Sequence, residues 1–130
     1  MKKLTLFIVL FSTLATSSSS FADWARVGEN KTGNTFYVDF QKIRQAEGYI
    51  YFWLLNDYGS QSEWGYLSST AYVQGDCALF RYKNLTWTIY KRPMGVGDNL
   101  VSIKPPDEWL YPSSNQSDEI ILDIVCKGRN

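Results

Sequence analysis

The chain contains no histidine and only two cysteines among its 130 residues. Histidine is the commonest general base and the commonest metal ligand, so its absence argues against most enzymes and metal sites. A cysteine nucleophile normally relies on a histidine partner, and two cysteines without histidine make a poor zinc site. We therefore expect a protein that is not an enzyme and that has no cofactor, no metal and no catalytic residues.

Long apolar runs and an excess of charge of one sign are also missing. The longest apolar run, residues 4–14, supplies about half of the roughly 20 residues that cross a bilayer, so we expect no transmembrane segment. Basic and acidic residues number 13 each, and no basic stripe stands out. The electrostatic footprint of a nucleic-acid-binding protein is therefore absent.

The amino terminus has the pattern of a secretory signal peptide. Lys2 and Lys3 precede the apolar run, and Ser20 and Ala22 occupy the −3 and −1 positions of a cleavage site. We expect residues 1–22 to be cleaved and residues 23–130 to form one domain. Residue 23 is aspartate, so the cysteine that a lipid anchor would need at this position is absent and we expect no lipid anchor.

Export decides what the two cysteines do, because a pair of cysteines in an oxidising compartment usually forms a disulfide. Cys77 and Cys126 are the only candidates. The bond would close a loop of about 50 residues and stabilise the fold by roughly 4 kcal/mol in the chain-entropy model.

Most of the chain has the alternating pattern of half-buried β-strands separated by turns rich in glycine, asparagine and proline. The predicted strands are residues 24–28, 35–40, 49–56, 64–74, 77–90 and 100–104, with a break in the fifth near Asn84. The third is apolar on both faces, which is typical of a central strand covered on each side.

Aromatic side chains are abundant, with five tryptophans and nine tyrosines. One interpretation is that a small sheet fills its core with large rings. The alternative is a protein-binding patch or a dimer face, where tyrosine and tryptophan are enriched. Tyr49, Tyr51 and Trp53 share one face of the central strand, so they are the candidate binding residues.

Near the C-terminus the spacing of apolar residues changes from the alternation of a strand to the i,i+4 spacing of a helix. Apolar residues in residues 120–126 form i,i+4 pairs, Ser114 or Asn115 can cap a helix, and Asp118 and Glu119 would lie in its first turn. A further strand is the alternative, since isoleucine and valine are β-branched. We favour a helix. The predicted fold is α+β: a twisted antiparallel sheet of about five to six strands, with a C-terminal α-helix tethered to one face by the disulfide.

Several short motifs occur in an order that resembles the surface-adhesin protein E family. They are residues 24–44 (WARVGENKTGNTFYVDFQKIR), 53–58 (WLLNDY), 75–85 (GDCALFRYKNL), 94–98 (MGVGD), 108–114 (EWLYPSS) and 123–126 (DIVC). None of these pieces is specific alone, but together they cover essentially the whole chain after the leader.

The resemblance implies an antiparallel sheet with a C-terminal helix held to it by a disulfide between Cys77 and Cys126. It also implies an adhesin that binds host extracellular-matrix or serum proteins and that can form a homodimer. We therefore expect an exported protein at the surface or in the periplasm of a Gram-negative-type bacterium. The alternative function is a periplasmic or envelope module that binds an envelope partner without host contact.

Overall fold

One antiparallel sheet dominates the computed structural model, which describes residues 22–98 and 100–128. Its strands are β1 Ala25–Glu29, β2 Thr35–Val38, β3 Arg44–Ala46, β4 Tyr49–Asp57, β5 Ser68–Asp76, β6 Arg81–Tyr90 and β7 Leu100–Ile103. The strand order is β1-β2-β4-β5-β6-β7, and the short β3 pairs with β4 beside β2. The predicted signal peptide lies outside the described residues, apart from Ala22.

The central position of β4 is confirmed, because β2 and β3 pair with one of its edges and β5 with the other. Ile50 and Phe52 are each 2% exposed and belong to the main core. Tyr51 and Trp53 point to the opposite face and are half-buried. The alternation of β4 therefore separates an aliphatic core face from an aromatic face, as its sequence indicates.

The C-terminal helix is also confirmed. α1 spans Ser117–Lys127, and its buried residues Ile121, Leu122 and Val125 pack on part of one face of the sheet. Asp118 and Glu119 lie in the first turn, where the helix dipole favours negative charge.

The start of α1 differs from the sequence prediction. The residue before the helix is Gln116, which makes no side-chain cap hydrogen bond, so neither Ser114 nor Asn115 is the cap. Asn115 instead has φ = 60° in the turn that leads into the helix. Asparagine tolerates this left-handed conformation better than most residues, which explains its place there.

The disulfide joins Cys77 to Cys126 and ties the end of α1 to the sheet. The sequence predicts that Cys77 begins a strand, and this is wrong. Cys77 follows the last residue of β5. Residues 77–80 form a turn in which the carboxylate of Asp76 accepts a hydrogen bond from the Leu79 N–H at 3.1 Å. This turn directs the Leu79 side chain outward, where it is 61% exposed.

A loop covers part of the face opposite α1. The hydroxyl of Ser68 donates to the Arg92 carbonyl at 2.6 Å and accepts from the Gly95 N–H at 2.9 Å. Asp57 accepts from the Met94 N–H at 2.9 Å. These bonds hold residues 92–95 over Leu55, which is fully buried. The rest of this face is free for the aromatic side chains.

Candidate functional site

Five aromatic residues lie together on the face of the sheet opposite α1, and we call them the aromatic face. Three come from alternate positions of β4, one from β5 and one from the segment that follows β7: Tyr49, Tyr51, Trp53, Tyr72 and Trp109. Their ring centroids are 4.8 Å apart for Trp53 and Tyr72, 6.0 Å for Tyr51 and Tyr72, and 5.6 Å for Tyr49 and Trp109. Aromatic pairs prefer these separations, so the rings hold one another in place.

The strand register explains why these rings meet. Trp53 lies directly opposite Tyr72 in the β4–β5 pair, and Tyr51 lies opposite Gln74. The side-chain amide of Gln74 donates a hydrogen bond to the Tyr51 hydroxyl at 3.1 Å. Directly opposed side chains on one face of an antiparallel pair are in contact range. Both strands are in the middle of the sheet, so the rings are presented from a rigid base.

Three cations flank the aromatic face. The Arg44 guanidinium lies 5.2 Å from the Tyr51 ring centroid, and Arg81 and Lys83 lie 4.2 Å and 4.6 Å from that of Trp109. Arg81 also pairs with Asp76, and Lys83 with Asp107. Arg44 is exposed, and among the described residues it makes no ion pair.

The ion pair of Asp76 and Arg81 is a structural element at one end of this face. Asp76 is 5% exposed, and its carboxylate accepts from the Arg81 Nε at 2.9 Å. Burial alone would raise the pKa of Asp76, but the Leu79 N–H and the Arg81 guanidinium together hold this pKa below its ordinary value. Asp76 therefore stays ionised and fixes Arg81 against Trp109.

The structure places the candidate residues Tyr49, Tyr51 and Trp53 on one face, all half-buried. The sequence analysis missed Tyr72 and Trp109. Alternation within a strand shows which residues share a face, but only the cross-strand register shows that Tyr72 opposes Trp53. Trp109 comes from an irregular segment with no period, so no local signal in the sequence reveals its position.

A second surface lies on the α1 side of the sheet. Beside the helix, an apolar groove of about 370 Å³ crosses the strands between Phe36 and Ile103 and contains Leu54 and Trp87. The Oδ1 atom of Asn56, which lines this groove, is buried and has no hydrogen-bond partner among the described residues. The helix therefore covers only part of its own face.

Neither surface offers an arrangement for metal chemistry. Within residues 22–98 and 100–128, no group of three or more histidine, cysteine, aspartate or glutamate side chains could hold a metal ion. In the same part of the chain, no helix has both the length and the apolar character that crossing a membrane requires. The aromatic face presents aromatic rings, hydrogen-bonding groups and the exposed Arg44 side chain.

Comparison with known proteins agrees with this architecture. A search of curated proteins found no match. Residues 24–127 match the family described as Surface-adhesin protein E. The match begins one residue before β1 and ends at the last residue of α1, so it takes in the sheet, the helix and both cysteines. This chain therefore belongs to the surface-adhesin protein E family.

Proposed function

We propose that this protein is an exported, non-enzymatic surface adhesin that binds another protein through the aromatic face. The observation that carries the proposal is the set of five aromatic rings on the face of the sheet opposite α1, where Tyr49 pairs with Trp109 and Tyr72 pairs with both Tyr51 and Trp53. Membership of an adhesin family supports the function, and the aromatic face supports the location of the binding site.

The residue types on this face suit protein recognition. Tyrosine, tryptophan and arginine are the residues most enriched among those that carry binding energy in interfaces. The Tyr51 ring stacks on Tyr72 and the Trp53 ring contacts Tyr72 at a tilt, so little side-chain entropy remains to be lost on binding. Arg44 lies over Tyr51 and adds a positive charge at the rim, where a carboxylate of the partner would meet it.

The family resemblance favours host extracellular-matrix or serum proteins as partners. A second copy of this chain is another candidate occupant of the same face, which would make the protein a homodimer. An envelope protein in the periplasm is the alternative partner, with no host contact. These three cases differ in where the protein resides and in its oligomeric state, so each is separable by experiment.

The test of the binding site compares single variants in binding to immobilised matrix and serum proteins. Tyr51→Ala and Trp53→Ala remove central rings of the aromatic face, and each should lower the affinity at least about tenfold. Trp64→Ala is the matched control, because Trp64 is 81% exposed and lines a hollow with Trp87 on the α1 side. Unchanged binding by both aromatic-face variants, when each is folded, would contradict the proposed site.

Location is tested by protease treatment of intact cells beside a periplasmic extract and the culture medium. An adhesin should be digested on intact cells. A protein that is protected there and found only in the periplasmic extract would exclude direct host adhesion and favour the envelope module. Sedimentation of the wild type and of Tyr51→Ala would show whether a dimer forms through the aromatic face.

A further inference from the structure

Asp39 is a buried carboxylate at the corner where β2 ends. Its side chain is 1% exposed and caps the short 3-10 helix Phe40–Lys42 by accepting from the Gln41 N–H at 3.2 Å. Its second oxygen accepts from the backbone nitrogen of Asp23 at 3.2 Å. The Lys42 ammonium, on a half-exposed side chain, lies 4.0 Å from the same oxygen.

The backbone nitrogen that reaches Asp39 is the atom that signal-peptide cleavage would change. The sequence predicts cleavage between Ala22 and Asp23. Hydrolysis by a signal peptidase breaks this amide bond. Water supplies the hydroxyl that completes the Ala22 carboxyl group and a proton for the Asp23 nitrogen. The freed amine then takes up a further proton from solvent and becomes an ammonium group.

We propose that Asp39 is a preformed docking site for the amino terminus that cleavage after Ala22 creates. The neutral N–H···O hydrogen bond of the precursor becomes an ion pair between the Asp23 ammonium and the Asp39 carboxylate. A hydrogen bond between two charged groups is shorter and stronger than one with a neutral donor. Processing thus fastens the start of β1 to the end of β2.

The charges around Asp39 support this assignment. Before cleavage the cluster holds the carboxylates of Asp23 and Asp39 and the ammonium of Lys42, a net charge of −1. Cleavage adds one positive charge and makes the cluster neutral. A buried carboxylate is costly unless it is paired, and the distant, half-exposed Lys42 pairs with it poorly.

The contacts around Asp23 already hold its backbone nitrogen beside Asp39. The Gln41 side-chain amide donates to the Asp23 carboxylate at 2.9 Å, and β1 begins two residues later. A cavity of about 390 Å³ adjoins Asp39 and is lined in part by Ala22 and Trp24. Removal of Ala22 therefore enlarges a space that already exists, and solvent can reach the remaining N–H groups of the ammonium.

The first test compares exported forms of the protein that differ at the mature amino terminus. One is the natural form, and the other carries Gly-Ser inserted after Ala22, so that the Asp23 nitrogen remains an amide. Mass analysis establishes the first residue of each. We expect the natural form to unfold at a higher denaturant midpoint, and we expect this difference to vanish when Asp39→Asn is present in both. Glu63→Gln is the control, because this exposed carboxylate lies outside the cluster and its removal should preserve the difference.

The second test does not depend on the stability of a variant. An acylating reagent reacts only with the unprotonated amino group. Pairing with Asp39 raises the pKa of this amino group and so lowers its unprotonated fraction at neutral pH. The natural amino terminus should therefore react about tenfold more slowly than that of the Gly-Ser form. Equal reaction rates, or an exported protein that starts at a residue other than Asp23, would overturn the proposal. The outcome is independent of the aromatic face.

Discussion

Gly75 is a residue of β5 that lies beneath Leu122 of α1. A β-carbon at this position would lie 2.8 Å from the Ile50 Cγ2 atom and 3.1 Å from the Leu122 Cδ1 atom. Both neighbours are buried, at 2% and 1% exposure, so neither can move without disturbing the core. The absence of a side chain at residue 75 therefore sets how closely α1 packs on β4 and β5.

We predict that Gly75→Ala destabilises the protein by about 1–3 kcal/mol, because overpacking displaces Ile50 and Leu122. Gly28→Ala is the control, since a β-carbon there would meet nothing within 4 Å. Denaturant unfolding of both variants measures the difference. Equal stability of the two would show that the helix shifts to accept the methyl group at no cost.

Tyr82 connects the sheet to the first turn of α1. Its hydroxyl donates to the Asp118 carboxylate at 3.2 Å. Burial, followed by the negative charge of Asp118 and this hydrogen bond, raises the pKa of Tyr82 to about 12. Because the folded-state pKa is raised, the stabilisation is complete below the unfolded-state value of 10.0 and is lost as the pH rises to about 12.

We therefore predict a loss of stability between about pH 10 and 12 that Tyr82→Phe reduces. Asp118→Asn should lower the pKa of Tyr82 only part of the way toward its ordinary value, because burial is the larger cause of the shift. Unfolding as a function of pH and NMR titration of the tyrosine rings measure both effects. A Tyr82→Phe variant with an unchanged alkaline profile would contradict this assignment.

At the scale of elements, the disulfide is a covalent link between α1 and the turn that follows β5. The two cysteines are 49 residues apart in sequence, and their Cα atoms are 5.7 Å apart in the fold. In the chain-entropy model a loop of this length stabilises the fold by about 4 kcal/mol. Net stabilities of small domains are of similar size, so the loss of this bond would remove a large part of the stability of the fold.

We predict that the double variant Cys77→Ser with Cys126→Ser unfolds with about 2–5 kcal/mol less free energy than the oxidised wild type. The reduced wild type should behave like the double variant, which makes it the matched control. Denaturant unfolding followed by circular dichroism measures the loss. A double variant as stable as the oxidised protein would mean that helix packing alone suffices.

The elements with a clear period could be predicted from the sequence. The alternation of β4 correctly assigns Ile50 and Phe52 to one face and Tyr51 and Trp53 to the other, and the i,i+4 pairs of the tail indicate α1. The turn at residues 77–80 could not be predicted, because its residues continue the strand-like composition. A hydrogen bond from Leu79 to Asp76, visible only in the structure, forms this turn.

At the scale of the whole molecule, the strand order places β4 and β5 in the middle and brings together residues that are far apart in sequence. Trp109 reaches Tyr49 across 60 positions of the chain. Such contacts depend on strand register and on irregular segments, which local patterns do not encode. The sequence therefore predicts the three residues of β4, whereas the complete aromatic face requires the tertiary structure.

The loop closed by the Cys77–Cys126 disulfide also divides the chain into a part that can extend under force and a part that cannot. An adhesin that holds a cell to a surface bears tension, and β6, β7 and most of α1 lie between Cys77 and Cys126. When the chain is pulled by its two ends, the segment between the two cysteines cannot extend while the bond is intact. This segment spans a sequence separation of 49 residues, roughly 160–175 Å of extended chain. Single-molecule stretching should record this additional length only after reduction. The disulfide would thus set the maximum extension of the tether, and β1 to β5 would be the part of the domain that yields first.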